Sequence, residues 1–414
     1  MKKYIYYLIV YLLIYTAIKF NFIIPVHISM VIFPIALLKY KNILKDKFLL
    51  KYILILLYII LVYFFMISLS EYKDFYFIKY LLSQIIFLVS GVYLVSRMKK
   101  KEITNEEILN GIIFAVILEG MICILMKIYP KLFVIFSKII YTSELSLIIM
   151  ENSASIRFMG LGSFGFLGGV IAGYGVLISS FLYIKTKKNM YIWKYIFCII
   201  SGMLVARTTI VSVILSFLYF IRFFFTIKRN KILINKKLLK IMSFFSLFIV
   251  ISLYIYNLIN QNIKNNYIKW STEIFTILSE DKPRSLETLL KLIDNIKNVK
   301  LEIIFWGNGK WNYAENIIDI QTFNILRTDV GYYRILFYTG ILGLILFLIY
   351  SLYLYIYMNE IAEDKKLKFF IKILSFYFLI LNIKGFINNN PVIYLILGII
   401  LLTKKEKKKY GRKT

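Results

Sequence analysis

The chain has 414 residues, 60% of them apolar and 18% aromatic, with a formal net charge of +30 and a mean hydropathy of +0.74. That balance excludes a soluble domain, a disordered chain, a collagen-like repeat and a secreted disulfide scaffold, none of which has use for so much apolar surface. A bilayer does, since twelve spans of about 20 residues take up roughly 240 positions.

Cys123 and Cys198 both lie in apolar stretches and form no CxxC pair, so neither a disulfide framework nor a zinc site is expected. One histidine, His27, and no clustered carboxylates leave too few ligands for a protein-built metal centre, and no cofactor is expected. Met1-Lys2-Lys3 opens a long apolar run with no small-residue cleavage site, which reads as a first span rather than a removed signal.

In chain order the apolar runs predict an all-α polytopic membrane protein with spans near 4–18, 21–38, 48–69, 76–96, 108–128, 162–184, 191–206, 207–225, 241–259, 332–356, 367–383 and 391–403. With the N-terminus inside, alternate loops carry Lys39/Lys41/Lys45/Lys47, Arg97/Lys99/Lys100/Lys101, Lys185/Lys187/Lys188, Lys228 to Lys240, Lys365/Lys366/Lys368 and Lys404 to Lys413. All of these fall on one side, which predicts a cytoplasmic-membrane protein with both termini cytoplasmic. The predicted organisation is an N-terminal transmembrane bundle over 1–259, a large extracytoplasmic loop over 260–331, C-terminal membrane helices over 332–403 and a basic cytoplasmic tail over 404–414. The tail suits anionic lipid headgroups better than nucleic acid.

The opposite side carries short turns and two longer segments, 129–161 and 260–331. The second holds nine basic and nine acidic residues, as a translocated segment should. Within it Leu286, Leu289, Leu290, Ile293 and Ile296 recur at helical spacing after Pro283, predicting an amphipathic helix over 285–298. Trp306-Gly307-Asn308-Gly309-Lys310-Trp311 predicts a turn with aromatic flanks.

Arginine is rare here, nine residues among 52 basic ones, yet Arg157, Arg207, Arg284, Arg327 and Arg334 fall in outer loops or at outer helix mouths. A guanidinium differs from an ammonium in gripping phosphate oxygens with a rigid fork, so this distribution points to a phosphate or pyrophosphate ligand on that side. The competing reading pairs each arginine with a loop carboxylate or a lipid headgroup. Asp329, just ahead of the span that carries Arg334, reads either as a base or orienting group, or as a carboxylate at a helix start. Glu119 lies in the middle of its run and must face the bundle interior or be protonated; a transport path and a pairing with a lysine such as Lys79 both fit. His27 reads as a packing residue, and the glycines from Gly160 to Gly175 as a close helix approach rather than a nucleotide loop.

These features resemble the O-antigen polymerase and ligase superfamily of bacterial envelope polysaccharide enzymes, over roughly the C-terminal two-thirds of the chain. Arg157-Phe158-Met159-Gly160-Leu161-Gly162 looks like the family's Arg-x-x-Gly, and Ala206-Arg207-Thr208-Thr209 is similar to its Ser-Arg-Thr, with alanine in place of the serine. Arg284 ahead of an amphipathic helix and then Gly307-Asn308-Gly309 resemble its large-loop pattern. Asp329-Val330-Gly331-Tyr332-Tyr333 and Thr339-Gly340-Ile341-Leu342-Gly343-Leu344 resemble the segment that closes that loop.

The resemblance implies a GT-C-like membrane glycosyltransferase acting on polyprenyl-pyrophosphate-linked oligosaccharides, in company with flippase and chain-length regulator proteins. It makes Arg207 the leading pyrophosphate ligand, with Arg157, Arg284, Arg327 and Arg334 in substrate binding and Asp329 at the acceptor hydroxyl. Ligases of the superfamily commonly carry a histidine in the large loop and this loop has none, which favours polymerase over ligase. A lipid-linked oligosaccharide flippase is the other alternative, but flippases are built from two similar halves, and no internal duplication is visible here.

Overall fold

The structure is a computed structural model that describes residues 2–20, 25–39, 46–132, 135–136, 158–162, 165–228, 231–234, 299–311 and 330–410. The named helices among them are α1 (Lys2–Ile14), α2 (Ile28–Lys39), α3 (Lys47–Leu69), α4 (Tyr76–Lys99), α5 (Asn105–Ile128), α6 (Gly165–Thr186), α7 (Met190–Val205), α8 (Thr209–Phe224), α9 (Leu301–Trp306), α10 (Gly331–Ile361), α11 (Lys365–Lys384) and α12 (Pro391–Tyr410). A two-stranded antiparallel hairpin, β1 (Phe225–Lys228) with β2 (Lys231–Ile234), follows α8.

Helices cover most of the predicted apolar runs on described residues, although 15–18 and 25–27 are not helical and Phe225, the end of the run at 207–225, opens β1; the run at 241–259 and the amphipathic helix at 285–298 lie outside the described residues. Among the described residues five helices, α3, α4, α5, α6 and α10, are long and apolar enough to cross a membrane, and α1, α2, α7 and α8 are shorter apolar helices. The chain is a helical membrane protein. Its exposed faces carry the same message: along α3, Leu50, Leu54, Leu57, Tyr58, Leu61 and Phe65 form an exposed apolar stripe that water would not tolerate. Capping follows the sequence, with the Asp46 carboxylate accepting from the Phe48 and Leu49 amides at the start of α3 and Asp364 accepting from Lys366 at the start of α11.

The contacts divide the chain into two compact units that are not contiguous in sequence. The first comprises Met1–Ile9, Val26–Ile108 and Arg284–Thr414. In it α4 packs against α2, α3 and α12, while α10 packs against α3, α9 and α11. α12 continues through the basic segment to Tyr410, and Lys405 pairs with Asp46 and Lys99 with Glu406, each at 2.8 Å. The second unit comprises Val10–Pro25 and Leu109–Pro283. Its centre is α6, buried from Gly168 through Ile184 and packed against α7 and α8. A side chain at Gly175 would meet Cys198 and Val116, so the glycine run does permit close helix approach.

Candidate functional site

In the first unit the site begins with a break in α10. Gly340 has φ 69° and ψ −173°, conformations closed to residues with a Cβ, and the helix ladder is interrupted there. The carbonyls of Phe337 and Tyr338 accept instead from the amides of Asn308 (2.8 Å) and Gly309 (3.0 Å). This satisfies acceptors that a broken helix would otherwise leave bare. A Cβ at Gly340 would run into the Phe305 backbone, and one at Gly307 into that of Tyr338 and Thr339. A third segment joins from the other side, with Tyr72 N donating to Asn308 O at 3.0 Å and Asp74 N to Gly309 O at 3.1 Å. Two of the glycine motifs read from sequence, Gly307-Asn308-Gly309 and Thr339-Gly340, are thus in direct backbone contact.

Asp74 ties this junction together. Its Oδ1 accepts from Tyr76 N, the first amide of α4, at 2.8 Å, and its Oδ2 accepts from Trp311 N at 3.0 Å. Its carbonyl accepts from the Tyr338 hydroxyl. Trp311 is 1% exposed and sits among Phe77, Tyr80, Tyr338 and Phe386, with ring centroids 4.7 to 5.9 Å away. Its indole N–H has no hydrogen-bond partner among the described residues. On this floor rests Arg334, its guanidinium carbon 4.3 Å from the ring centroid and its Nη2 donating to the Trp311 carbonyl at 3.3 Å. Lys310 lies 4.8 Å over the Tyr72 ring beside it. The first turn of α10, with Arg334, and the segment after α9, with Lys310, therefore each present a cation backed by an aromatic face, a chemistry suited to ligands that carry both phosphate oxygens and sugar rings.

The second unit contains another interrupted region, Ala206-Arg207-Thr208 between α7 and α8. Ala206 is extended, and the Thr209 hydroxyl closes the turn by donating to Ala206 O at 3.0 Å. Gly169 has no room for a side chain because Thr208 Oγ1 and the Ala206 Cβ stand 2.6 and 2.7 Å from where its Cβ would be. Arg207 is half-buried there, while the Thr208 hydroxyl is buried with no partner among the described residues. The Phe158 amide donates to Leu204 O at 3.2 Å, bringing the residue after Arg157 to the same turn.

No protein-family model, curated protein or solved structure matches the chain.

Of the predicted site residues, Arg334 and Arg207 are described, one in each unit. Arg157, Arg284, Arg327 and Asp329 lie outside the described residues. Glu119 is 2% exposed, its Oε2 accepting from the Tyr11 hydroxyl at 2.5 Å and its Oε1 from the Gly162 amide at 2.8 Å. The lysine offered as a partner, Lys79, instead lies 5.4 Å over the Tyr76 ring. His27 is a packing residue, held by Ser29 at 2.7 Å and edge-on to Phe87. The turn predicted at 306–311 is present, with Trp306 exposed and Trp311 buried. Sequence reasoning missed Asp74 and the pairing of Arg334 with Trp311. An aspartate just before an apolar run does signal a helix cap, but its second bond crosses 237 positions and leaves no local trace.

Proposed function

We propose that the chain is a polysaccharide polymerase, a GT-C-like glycosyltransferase with about twelve spans that joins polyprenyl-pyrophosphate-linked oligosaccharide repeat units at the outer face of the cytoplasmic membrane. The observation that carries this reading is the junction at α10. Two segments on which the family resemblance rests meet there, and they seat an arginine on a buried tryptophan. The lysine pattern assigns that end of α10 to the extracytoplasmic side.

In the proposed reaction the bond between the anomeric carbon of the growing glycan and its pyrophosphate breaks. A hydroxyl of the next lipid-linked unit forms the new glycosidic bond. Guanidinium groups stabilise the charge gathering on the departing pyrophosphate, with Arg207 leading and Arg157, Arg284, Arg327 and Arg334 completing the binding set. Asp329 positions the acceptor hydroxyl and takes its proton. The substrates are membrane-borne, so flippase and chain-length regulator proteins are the natural partners of such an enzyme.

The test is reconstitution with a lipid-linked repeat unit and sizing of the products, alongside Arg207→Lys and Arg284→Lys in cells. Both variants are expected to insert normally and to abolish long polysaccharide, with single lipid-linked units accumulating on the outer leaflet. Products of wild-type length from both variants would overturn the phosphate-clamp reading. Units held on the cytoplasmic leaflet would assign the chain to the flippase class instead.

A further inference from the structure

The Arg334 seat is one end of a longer row of rings and cations within the first unit. The Trp311 ring under Arg334 has the Tyr80 ring 5.9 Å away, and Tyr80 has the Tyr76 ring 5.5 Å away. Lys79 closes the row, its ammonium 5.4 Å over the Tyr76 ring. Tyr80 has both Tyr76 and Arg334 as electrostatic neighbours. At the same junction Lys310 lies 4.8 Å over the ring of Tyr72, whose amide donates to Asn308 O at 3.0 Å.

Helix geometry makes the row. Tyr76, Lys79 and Tyr80 stand at i, i+3 and i+4 at the start of α4 and so share one face. That face is exposed, as is Tyr72, whereas Trp311 beneath Arg334 is buried. Tyr72, Tyr76 and Tyr80 offer ring surface, and Lys79, Lys310 and Arg334 offer positive charge. The carboxylate at the junction, Asp74, has both oxygens accepting from backbone amides.

The chemistry of such a row selects its ligand. The C–H faces of a pyranose stack on tyrosine rings, but a neutral sugar gains little from ammonium groups that water already solvates. A carboxylate on the sugar pairs with them, and charge-assisted hydrogen bonds are roughly twice as strong as neutral ones. A lipid headgroup would engage the cations singly, without need of a ring between them.

We propose that Tyr76, Lys79, Tyr80 and Lys310 form a glycan subsite leading away from Arg334, and that the repeat unit it takes is an acidic oligosaccharide, one that carries sugar carboxylates. The identification of this ligand as a repeat unit rests on the polymerase reading, in which Arg334 belongs to the pyrophosphate set.

The test measures binding without turnover, using the full-length protein in phosphatidylcholine nanodiscs. The probes are tetragalacturonate and its full methyl ester, which keeps the rings and removes the charges. Isothermal titration is expected to show the acid binding at least about tenfold more tightly than the ester. Lys79→Gln is expected to weaken the acid about fivefold and leave the ester unchanged, whereas Tyr76→Leu weakens both. Lys101→Gln, which removes an exposed charge beyond the far end of α4, is expected to change neither. Equal affinities for acid and ester, or no binding of either, would overturn the proposal. So would a Lys101→Gln effect as large as that of Lys79→Gln, which would reduce the preference to the net charge of the chain. A Lys79→Gln protein that loses bound phosphatidylglycerol in native mass spectrometry, with its affinity for the acid unchanged, would give the cation to lipid headgroups and overturn it as well. The two readings fail separately. Polymer from a reconstituted enzyme that binds acid and ester alike refutes the acidic subsite alone, and acid-selective binding without polymer refutes the polymerase alone.

Discussion

Arg334 is anchored twice to one residue, its guanidinium stacked on the Trp311 ring and its Nη2 bonded to the Trp311 carbonyl. The fork is consequently fixed by a floor that is itself buried and bonded to Asp74. A lysine keeps the charge but neither the planar stack nor the second bond. On the proposed polymerase reading, Arg334→Lys is expected to lower polymer yield on the order of tenfold, about 1.4 kcal/mol, at unchanged protein level. Trp311→Phe, which keeps an aromatic floor, is expected to retain most of the yield. Gel sizing of the glycan checks both, and an unaffected Arg334→Lys would remove Arg334 from the substrate set.

Asp74 holds three segments of the fold together through its carboxylate and its carbonyl. Asp74→Ala strands the Tyr76 and Trp311 amides together and is expected to destabilise the protein by about 2 kcal/mol. Asp74→Asn keeps a single acceptor oxygen and is expected to cost about half as much. The apparent melting temperature in detergent reads the order of the two; equal values would mean that the second bond contributes nothing.

Gly340→Ala combines a left-handed backbone with a collision against the Phe305 carbonyl, neither of which a side-chain rotation relieves. It is expected to cost at least about 3 kcal/mol and to abolish monodisperse protein in size-exclusion chromatography. Gly398→Ala, whose new methyl would sit no closer than 3.2 Å to Val95, serves as the control and is expected to cost under about 1 kcal/mol.

Glu119 tests what a buried carboxylate does inside a bundle. Glu119→Gln preserves an acceptor for the Gly162 amide and is expected to cost about 1 kcal/mol, whereas Glu119→Leu leaves that amide and the Tyr11 hydroxyl facing hydrocarbon at about 3 kcal/mol. Unfolding monitored by tryptophan fluorescence separates the two, and a leucine variant as stable as wild type would mean that the carboxylate is dispensable to the fold.

Much of the helical layout was legible because a span must be apolar along its length, so α3 to α8 and α10 to α12 announce themselves as runs bounded by lysine or glycine. The interruption at Ala206-Arg207-Thr208 was legible for the same reason. The α10 break was not, because Gly340 sits inside an unbroken apolar run and its φ of 69° is set by the Phe305 backbone lying against it. Nor were the partners of Glu119, since a tyrosine 108 positions away leaves no periodic signature. The arginine set was legible as composition, but its assembly depends on long-range contacts of the kind that join Arg334 to Trp311.

The Asn308 and Gly309 amides fill the places that α10's own amides would occupy in an uninterrupted helix. The segment after α9 and the midsection of α10 are therefore a single inheritable module. A chimera that transplants 301–311 alone strands two helix carbonyls in apolar surroundings, whereas one that carries 301–311 with 337–343 keeps the Phe337 and Tyr338 carbonyls matched to their donors.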